Sequence, residues 1–327
     1  MASDTLLKVT DLKVHYPVRT NYFNFGQKKF LKAVDGVSFE LQSGEVLGLV
    51  GESGCGKSSL GKALLRLQEP TSGSIELLGQ NFLKLSGETL RKARPQIQMI
   101  FQDPYASLDP RMTIQATLRE PLEAHGLWTG KESLKIIDDV LDRVAIPTTA
   151  LQKYPHEFSG GQRQRIAIAR ALVLKPKIIV ADEPVSSLDV SVQAQVLNLL
   201  KEIQKDLKLS MIFISHNLAV VKYIADKIAV MYLGKIVETG ETSDLYQNPQ
   251  HPYTRALISA VPIPDPKIEK TRKRIDLKGE LPSPISPPSG CTFHTRCPIA
   301  TESCRRETPQ LKEHGKATWK VSCFEVN

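Results

Sequence analysis

The chain has 327 residues, of which 41% are hydrophobic and 24% charged, as is ordinary for a soluble globular protein with a substantial core. This length predicts one large domain with an appendage, or two domains. No run approaches the roughly 18 apolar residues of a membrane span, and the first residues lack a secretory pattern, so we expect a cytosolic protein. The net charge of +8 suits nucleotides, nucleic acid or an anionic membrane surface without distinguishing among them.

Apolar and amphipathic segments alternate along most of the chain. Strands are predicted at 6–16, 32–34, 37–41, 46–50, 75–78, 98–101, 178–181 and 211–214, with a hairpin at 228–232 and 236–238. Helices are predicted after the 46–50 strand, through about 103–170, and over 192–207. This alternation predicts an α/β protein with a mainly parallel sheet covered on both faces. Residues 17–32 read as a surface excursion.

A glycine-rich loop follows the apolar strand Val46–Val50 and precedes a helix. Its sequence is Gly51-Glu52-Ser53-Gly54-Cys55-Gly56-Lys57-Ser58. Strand, G-x-x-x-x-G-K-S and helix form the context of a phosphate-binding loop, whose N–H groups converge on an anion. Lys57 can reach the β- and γ-phosphates, and the Ser58 hydroxyl can ligate Mg²⁺. The pattern therefore predicts a nucleoside triphosphate site rather than a simple connecting turn.

Two further segments suggest phosphate chemistry. Asp182 closes an apolar strand, where its carboxylate can hold Mg²⁺ through water, and Glu183 beside it can orient or deprotonate an attacking water. Ser159 is a candidate N-cap, followed by two glycines that let a ligand approach the backbone, which predicts a second anion site at a helix N-terminus. Because one loop already serves the phosphates, we expect this second site to serve a nucleotide bound to a partner subunit.

The order of these motifs resembles an ABC transporter ATPase subunit over residues 5 to 250. The shared features are the phosphate loop, Gln102 at a strand end, Ser159-Gly160-Gly161-Gln162, Asp182-Glu183, Ser187-Leu188-Asp189 and His216. Phe158 stands where the family usually has leucine. The resemblance implies a P-loop NTPase with a RecA-like parallel sheet core, an antiparallel β subdomain and a helical subdomain inserted at about 103–170.

The resemblance also implies roles for individual residues in a head-to-tail dimer that encloses two ATP molecules. Catalytic roles fall on Glu183, on Gln102, which would sense Mg²⁺ and the attacking water, and on His216, which would contact the γ-phosphate. One ATP would be held by Gly51, Ser53, Gly54, Cys55, Gly56, Lys57, Ser58, Ser59 and Asp182. Ser159, Gly160, Gly161 and Gln162 would close over the other ATP, and Asp189 would shape the dimer contact. Tyr16 is the candidate for stacking on adenine, although a core tyrosine remains an open alternative.

The composition changes past about residue 250, which predicts a domain boundary there and an irregular Cys-containing C-terminal module at 251–327. Prolines recur through this region, and a basic run spans 270–274. His251-Pro252-Tyr253-Thr254 and the following segments resemble the C-terminal extension of dipeptide and oligopeptide importer ATPases, a group with nickel-importing relatives. Within it, the chain is most similar to the second ATPase subunit of a dipeptide importer.

Four of the five cysteines lie in this module, with the spacing C-x5-C-x6-C-x18-C. They are Cys291, Cys297, Cys304 and Cys323. The paired knuckles of a structural zinc site are absent, and thiolates in a loop-rich segment can hold an iron–sulfur cluster. The resemblance implies a [4Fe–4S] cluster, while zinc and free thiols remain alternatives.

The sequence therefore predicts an ATPase that powers import of dipeptides or oligopeptides. The implied partners are a different ATPase subunit in a heterodimer, two membrane-spanning permease subunits and an extracytoplasmic substrate-binding protein, with the chain peripheral on the cytoplasmic face of the membrane. Nickel or another small solute is an alternative cargo. A soluble ABC ATPase acting on nucleic acid, another P-loop enzyme and a non-catalytic ATP-binding module are alternatives of other classes; we expect no nucleic-acid partner.

Overall fold

The computed structural model describes residues 5–18, 29–262, 265, 274–277 and 279–326. Residues 19–28 of the predicted surface excursion and residues 270–273 of the basic run lie outside the described residues. Among the residues that are described, no helix has both the length and the apolar composition that a membrane span requires.

Apart from three short strands, at 80–81, 312–314 and 316–321, the strands fall where apolar or alternating segments predict them. The strands are β1 (Thr5–Val18), β2 (Lys29–Gln42), β3 (Val46–Val50), β4 (Ser72–Leu77), β5 (Gln80–Asn81), β6 (Ile97–Ile100), β7 (Ile178–Asp182), β8 (Ser210–Ser215), β9 (Lys227–Tyr232), β10 (Lys235–Glu241), β11 (Lys312–His314) and β12 (Lys316–Val321). Every residue of β3, β7 and β8 is buried, as continuous apolar strands of a parallel sheet require.

Helices occur in the three regions where they are predicted, and shorter helices at 87–93, 218–224, 242–247, 252–259 and 302–306 lie outside those regions. The helices are α1 (Lys57–Leu64), α2 (Gly87–Ala93), α3 (Pro104–Ser107), α4 (Ile114–Ala124), α5 (Lys131–Arg143), α6 (Gly160–Leu172), α7 (Val190–Leu207), α8 (Leu218–Ile224), α9 (Thr242–Gln247), α10 (Pro252–Ser259) and α11 (Glu302–Arg306). In α5, the residues Ile137, Val140 and Leu141 are buried at the spacing of one helix face, within the region that is predicted to be helical.

The chain divides into two compact units, and the first comprises the described residues of 1–7, 41–46 and 76–214. Its strands β6, β7 and β8 pair in parallel in that order. Helix α6 contacts α3, α4, α5, α7 and strand β6, so it is the central helix of this unit. Its buried residues include Ile166, Ile168 and Leu172, so α6 is covered on several sides by its neighbours.

The second unit comprises the described residues of 8–40, 47–75 and 215–327. Strand β3 pairs in parallel with β9, which forms the predicted hairpin with β10. β1 lies between β2 and β4 in a separate sheet.

Two features of the second unit differ from the expectation. The segments predicted as a pair of strands at 32–34 and 37–41 belong to one strand, β2, which continues through Gly36 although this residue adopts a φ of 89°, a conformation that glycine tolerates. The C-terminal module is largely irregular, but it also adds β12 antiparallel to β10, with β11 beside it.

Candidate functional site: a phosphate loop and separate acidic and glycine-rich motifs

The phosphate loop lies in the second unit, between β3 and α1. Gly56 is the N-cap of α1 and has a φ of 109°, in the region that L side chains rarely adopt. A Cβ atom at Gly56 would lie 1.9 Å from the carbonyl oxygen of Ala33. This position therefore requires glycine, both for its backbone conformation and for the close approach of β2.

Lys57 is directed into the loop. Its side chain is buried, and its Nζ donates hydrogen bonds to the carbonyl oxygens of Gly51 at 2.8 Å and Glu52 at 2.9 Å. The ammonium group thus lies inside the loop, at the end of the helix where phosphates bind. Burial raises the pKa of the neighbouring Cys55 thiol, so this thiol is protonated at neutral pH.

Tyr16 and His216 also belong to the second unit. Tyr16 is half-buried in β1, next to His15, whose Nε2 lies 3.0 Å from Asp35 Oδ1. His216 is exposed directly after β8 and precedes Asn217, which caps α8. The roles predicted for Tyr16 and His216, adenine stacking and γ-phosphate contact, stay predictions.

The acidic pair and Gln102 belong to the first unit. Asp182 is the buried last residue of β7, and Glu183 follows it with a φ of 46°. The N–H of Glu183 donates to the carbonyl of Ile214 at 3.0 Å, and Gln102 Nε2 donates to Glu183 Oε2 at 3.3 Å. The structure therefore brings Gln102 and Glu183 together, with Glu183 in a left-handed conformation of the kind found at functional sites.

The Ser-Gly-Gly-Gln segment begins α6, and Ser159 is its N-cap as predicted. Ser159 Oγ accepts from the N–H of Gln162 at 3.4 Å, and Gln162 Oε1 accepts from the N–H of Ser159 at 3.0 Å, a reciprocal capping box. A Cβ atom at Gly161 would lie 2.4 Å from Val192 Cγ1. Gly161 therefore also has a packing role between α6 and α7, in addition to the predicted access for a ligand.

Asp189 occupies the N-cap position of α7, and its exposed side chain makes no capping hydrogen bond. The next residue, Val190, is 81% exposed. Together with the exposed Ser159 and Gln162, these residues form an accessible surface on the first unit.

Sequence reasoning missed several contacts of these motifs. Arg296 and Tyr253, from the C-terminal module, both bond to Glu52 of the phosphate loop. In the first unit, the Arg163 guanidinium stacks over the Tyr105 ring at 3.9 Å. None of these three contacts carries a local signal, since the partners are far apart along the chain.

The four C-terminal cysteines are neighbours in the second unit. Burial, and after it the nearby thiols of Cys304, Cys323 and Cys297, raise the pKa of the Cys291 thiol to about 11. Burial followed by Cys323 and Cys304 likewise raises the pKa of Cys297. Yet within the described part of the chain, no group of three or more His, Cys, Asp or Glu side chains is arranged to hold a metal ion. The described geometry shows neighbouring thiols and not an assembled ligand set, so it does not support the iron–sulfur prediction.

Comparison with known proteins identifies the family. Residues 34–186 match the ABC transporter family, and residues 237–304 match the oligopeptide/dipeptide transporter C-terminal region. The putative oligopeptide transport ATP-binding protein YkfD of Bacillus subtilis is 55% identical over 94% of this chain and 92% of its own length. The oligopeptide transport ATP-binding protein OppF of Escherichia coli is 52% identical over 98% of this chain and 96% of its own length.

Solved structures agree on the fold. CbiO1 of Clostridium perfringens, part of the ABC transporter complex cbiONQ, has a TM-score of 0.63 at 28% identity and covers 75% of this chain and 92% of its own. The ATP-binding cassette MJ0796, in a dimeric post-hydrolysis state with ADP and Pi, has a TM-score of 0.62 at 25% identity, over 72% of this chain and 98% of its own. The chain therefore belongs to the ABC transporter family and, within it, to the group that carries the oligopeptide/dipeptide transporter C-terminal region.

Proposed function

We propose that this chain is the ATP-hydrolysing subunit of a multisubunit importer of oligopeptides or dipeptides. The contact between Gln102 and Glu183 carries the hydrolytic part of the proposal, because it joins the amide and the carboxylate that the reaction needs. The C-terminal region match and the names of the relatives support peptides as the solute class. These relatives favour a peptide importer over the nickel and nucleic-acid alternatives.

In this function, each motif has a defined role. The loop from Gly51 to Ser59 binds the phosphates of ATP, and Ser58 and Asp182 would hold Mg²⁺, the latter through water. Glu183 takes a proton from the attacking water, which Gln102 orients. His216 contacts the γ-phosphate, and Tyr16 stacks on adenine.

The accessible surface of the first unit is where we propose that a partner subunit binds. Ser159, Gly160, Gly161 and Gln162 close over a nucleotide held by a second, different ATPase subunit, and Asp189 shapes the contact between the two subunits. The exposure of Ser159, Gln162 and Asp189 supports this pairing. Two permease subunits and an extracytoplasmic substrate-binding protein complete the complex, which places this chain at the cytoplasmic face of the membrane.

The C-terminal module is the second domain of the proposed subunit. We place the ATPase domain at 1–250 and the extension at 251–327, although the C-terminal region match begins earlier, at residue 237. We propose a [4Fe–4S] cluster for this module, with zinc as the alternative, on the chemistry of thiolate ligands alone, because the described thiols are neighbours without forming an assembled ligand set.

Replacing the catalytic carboxylate tests the proposal. We expect Glu183→Gln to lower ATP turnover of the assembled transporter by about a hundredfold or more while ATP binding persists, because the amide cannot take the proton of the attacking water. Steady-state phosphate release and peptide uptake into vesicles measure this. The exposed Glu202→Gln in α7 is the matched control and should change neither rate. Unchanged turnover in Glu183→Gln would favour the non-catalytic alternative.

A further inference from the structure

Glu52 of the phosphate loop has all its polar groups engaged within the second unit. Its N–H donates to the hydroxyl oxygen of Tyr253 at 2.8 Å, and its carbonyl accepts from Lys57 Nζ at 2.9 Å and from the N–H of Cys55 at 3.3 Å. Its carboxylate accepts two hydrogen bonds from Arg296, at 2.6 and 3.0 Å. Glu52 therefore links the backbone of the loop, its lysine and the C-terminal module.

The two residues that hold Glu52 are themselves fixed by packing. The Arg296 side chain is only 6% exposed, and its guanidinium lies 5.9 Å from the centre of the Tyr232 ring. Tyr253 is fully buried, in edge contact with Tyr232 at 4.8 Å and in tilted contact with Phe293 at 5.4 Å. Because rigid packing limits how far either group can move, the hydrogen bonds to Glu52 hold the loop in a fixed position.

We propose that Arg296 and Tyr253 are positioning residues for ATP, which act through Glu52 to hold the phosphate loop in its binding conformation. The inference rests on the proposed ATPase function. Phosphate binding requires the N–H groups of the loop to converge before the anion arrives, and the C-terminal module fixes the backbone at the start of that loop.

The charge of Arg296 adds a second effect. A carboxylate within the phosphate loop repels the triphosphate, and the bidentate ion pair with Arg296 neutralises it. Loss of Arg296 therefore leaves an uncompensated negative charge in the loop, whereas loss of both partners does not. A residue with only a structural role would not show this dependence on Glu52.

The experiment compares Arg296→Met, Glu52→Gln and the double variant in the full chain. The Kd for Mg-ATP is measured by titration calorimetry at two salt concentrations, and KM and kcat are measured in the assembled transporter. We expect Arg296→Met to raise Kd and KM about tenfold with kcat within about twofold of wild type. In the Glu52→Gln background, the same substitution should change Kd by less than about threefold. Arg306→Met, an exposed arginine of the same module, is the control and should leave Kd unchanged.

Three outcomes overturn the proposal. They are a Kd for Arg296→Met within about twofold of wild type, an equal loss in both backgrounds, or a loss confined to kcat. If Arg296→Met fails to fold, Tyr253→Phe decides, because it removes only the hydroxyl group: about threefold weaker binding supports the proposal and unchanged binding rejects it. A wild-type chain that does not bind ATP would instead refute the proposed function itself.

Discussion

His251 is a buried histidine, and its surroundings favour the neutral form of its side chain. Its side chain is 1% exposed, its Nδ1 accepts from the N–H of Tyr253 at 3.1 Å, and its ring lies 5.5 Å from that of Phe293. Burial, with a smaller effect from Arg255, lowers its pKa from 6.5 to about 3. His251 therefore stays neutral as the N-cap of α10 at any pH the cell reaches.

This lowered pKa predicts a loss of stability in mild acid. Between pH 6.5 and about pH 3, the unfolded chain binds a proton at His251 that the folded chain does not, so stability is complete above pH 6.5 and falls below it. We expect this histidine to cost about 2 kcal/mol between pH 7 and pH 5. Urea unfolding at both pH values measures the loss.

The control for this prediction is His251→Asn. Asparagine also caps a helix N-terminus but does not titrate in this range. The variant is less stable at pH 7 because the packing on Phe293 is lost, yet its further loss at pH 5 should be smaller than that of the wild type. Equal losses in both proteins would show that His251 does not titrate on unfolding.

At the scale of secondary-structure elements, Glu238 of β10 connects its own strand to the residues that lead into α10 and to strand β12. It is completely buried, and its carboxylate accepts from the N–H groups of Gln250 and His251 and from Trp319 Nε1, each at 2.9 Å. Three donors converge on one carboxylate, and they come from different parts of the second unit. Glu238 therefore holds β12 and the residues that lead into α10 against β10 through these hydrogen bonds.

We expect Glu238→Gln to lower the free energy of unfolding by about 2 kcal/mol, because an amide places its own N–H groups against buried donors. The melting temperature of the full chain measures this, and the exposed Glu313→Gln in β11 is the matched control. A melting temperature equal to that of the wild type would show that the three donors find other acceptors.

Other strands and helices show which features of the fold can be predicted from the sequence. The strands β7 and β8 and the apolar face of α5 can be predicted from the sequence, because burial leaves a continuous apolar run in a strand and a helical spacing of apolar residues in a helix. The N-cap at Ser159 can be predicted from the sequence because its partner, Gln162, is only three residues away. By contrast, β12 is a short strand in which only Trp319 and Val321 are buried, so its pairing with β10 leaves too short a pattern to predict.

The hydrogen bonds between the C-terminal module and the phosphate loop could not be predicted from the sequence either. Arg296 and Glu52 are 244 residues apart, and an arginine in a Cys-rich segment has no pattern that selects one acidic partner among the 35 in the chain. Such contacts arise only when the second unit assembles. The motifs of the candidate site are thus predictable from sequence, while the residues that support them are not.

At the scale of the whole molecule, the cysteine segment and the phosphate loop belong to one unit. Arg296 directly precedes Cys297, and Phe293 lies between Cys291 and Cys297 while packing on Tyr253. Any group that ties the cysteines together would also restrain the two residues that hold Glu52. Such a group would then stabilise the ATP site without contacting ATP.

The proposed [4Fe–4S] cluster makes this link measurable. After anaerobic purification, we expect about four iron and four acid-labile sulfide per chain with a visible absorption band, both lost in Cys297→Ser because one of four thiolate ligands is missing. Cys55→Ala is the matched control and should keep the iron, since Cys55 lies in the phosphate loop. One zinc or no metal per chain would contradict the cluster and reduce the module to a packing element. The ATPase proposal would stand in either case, because its catalytic residues lie outside the cysteine segment.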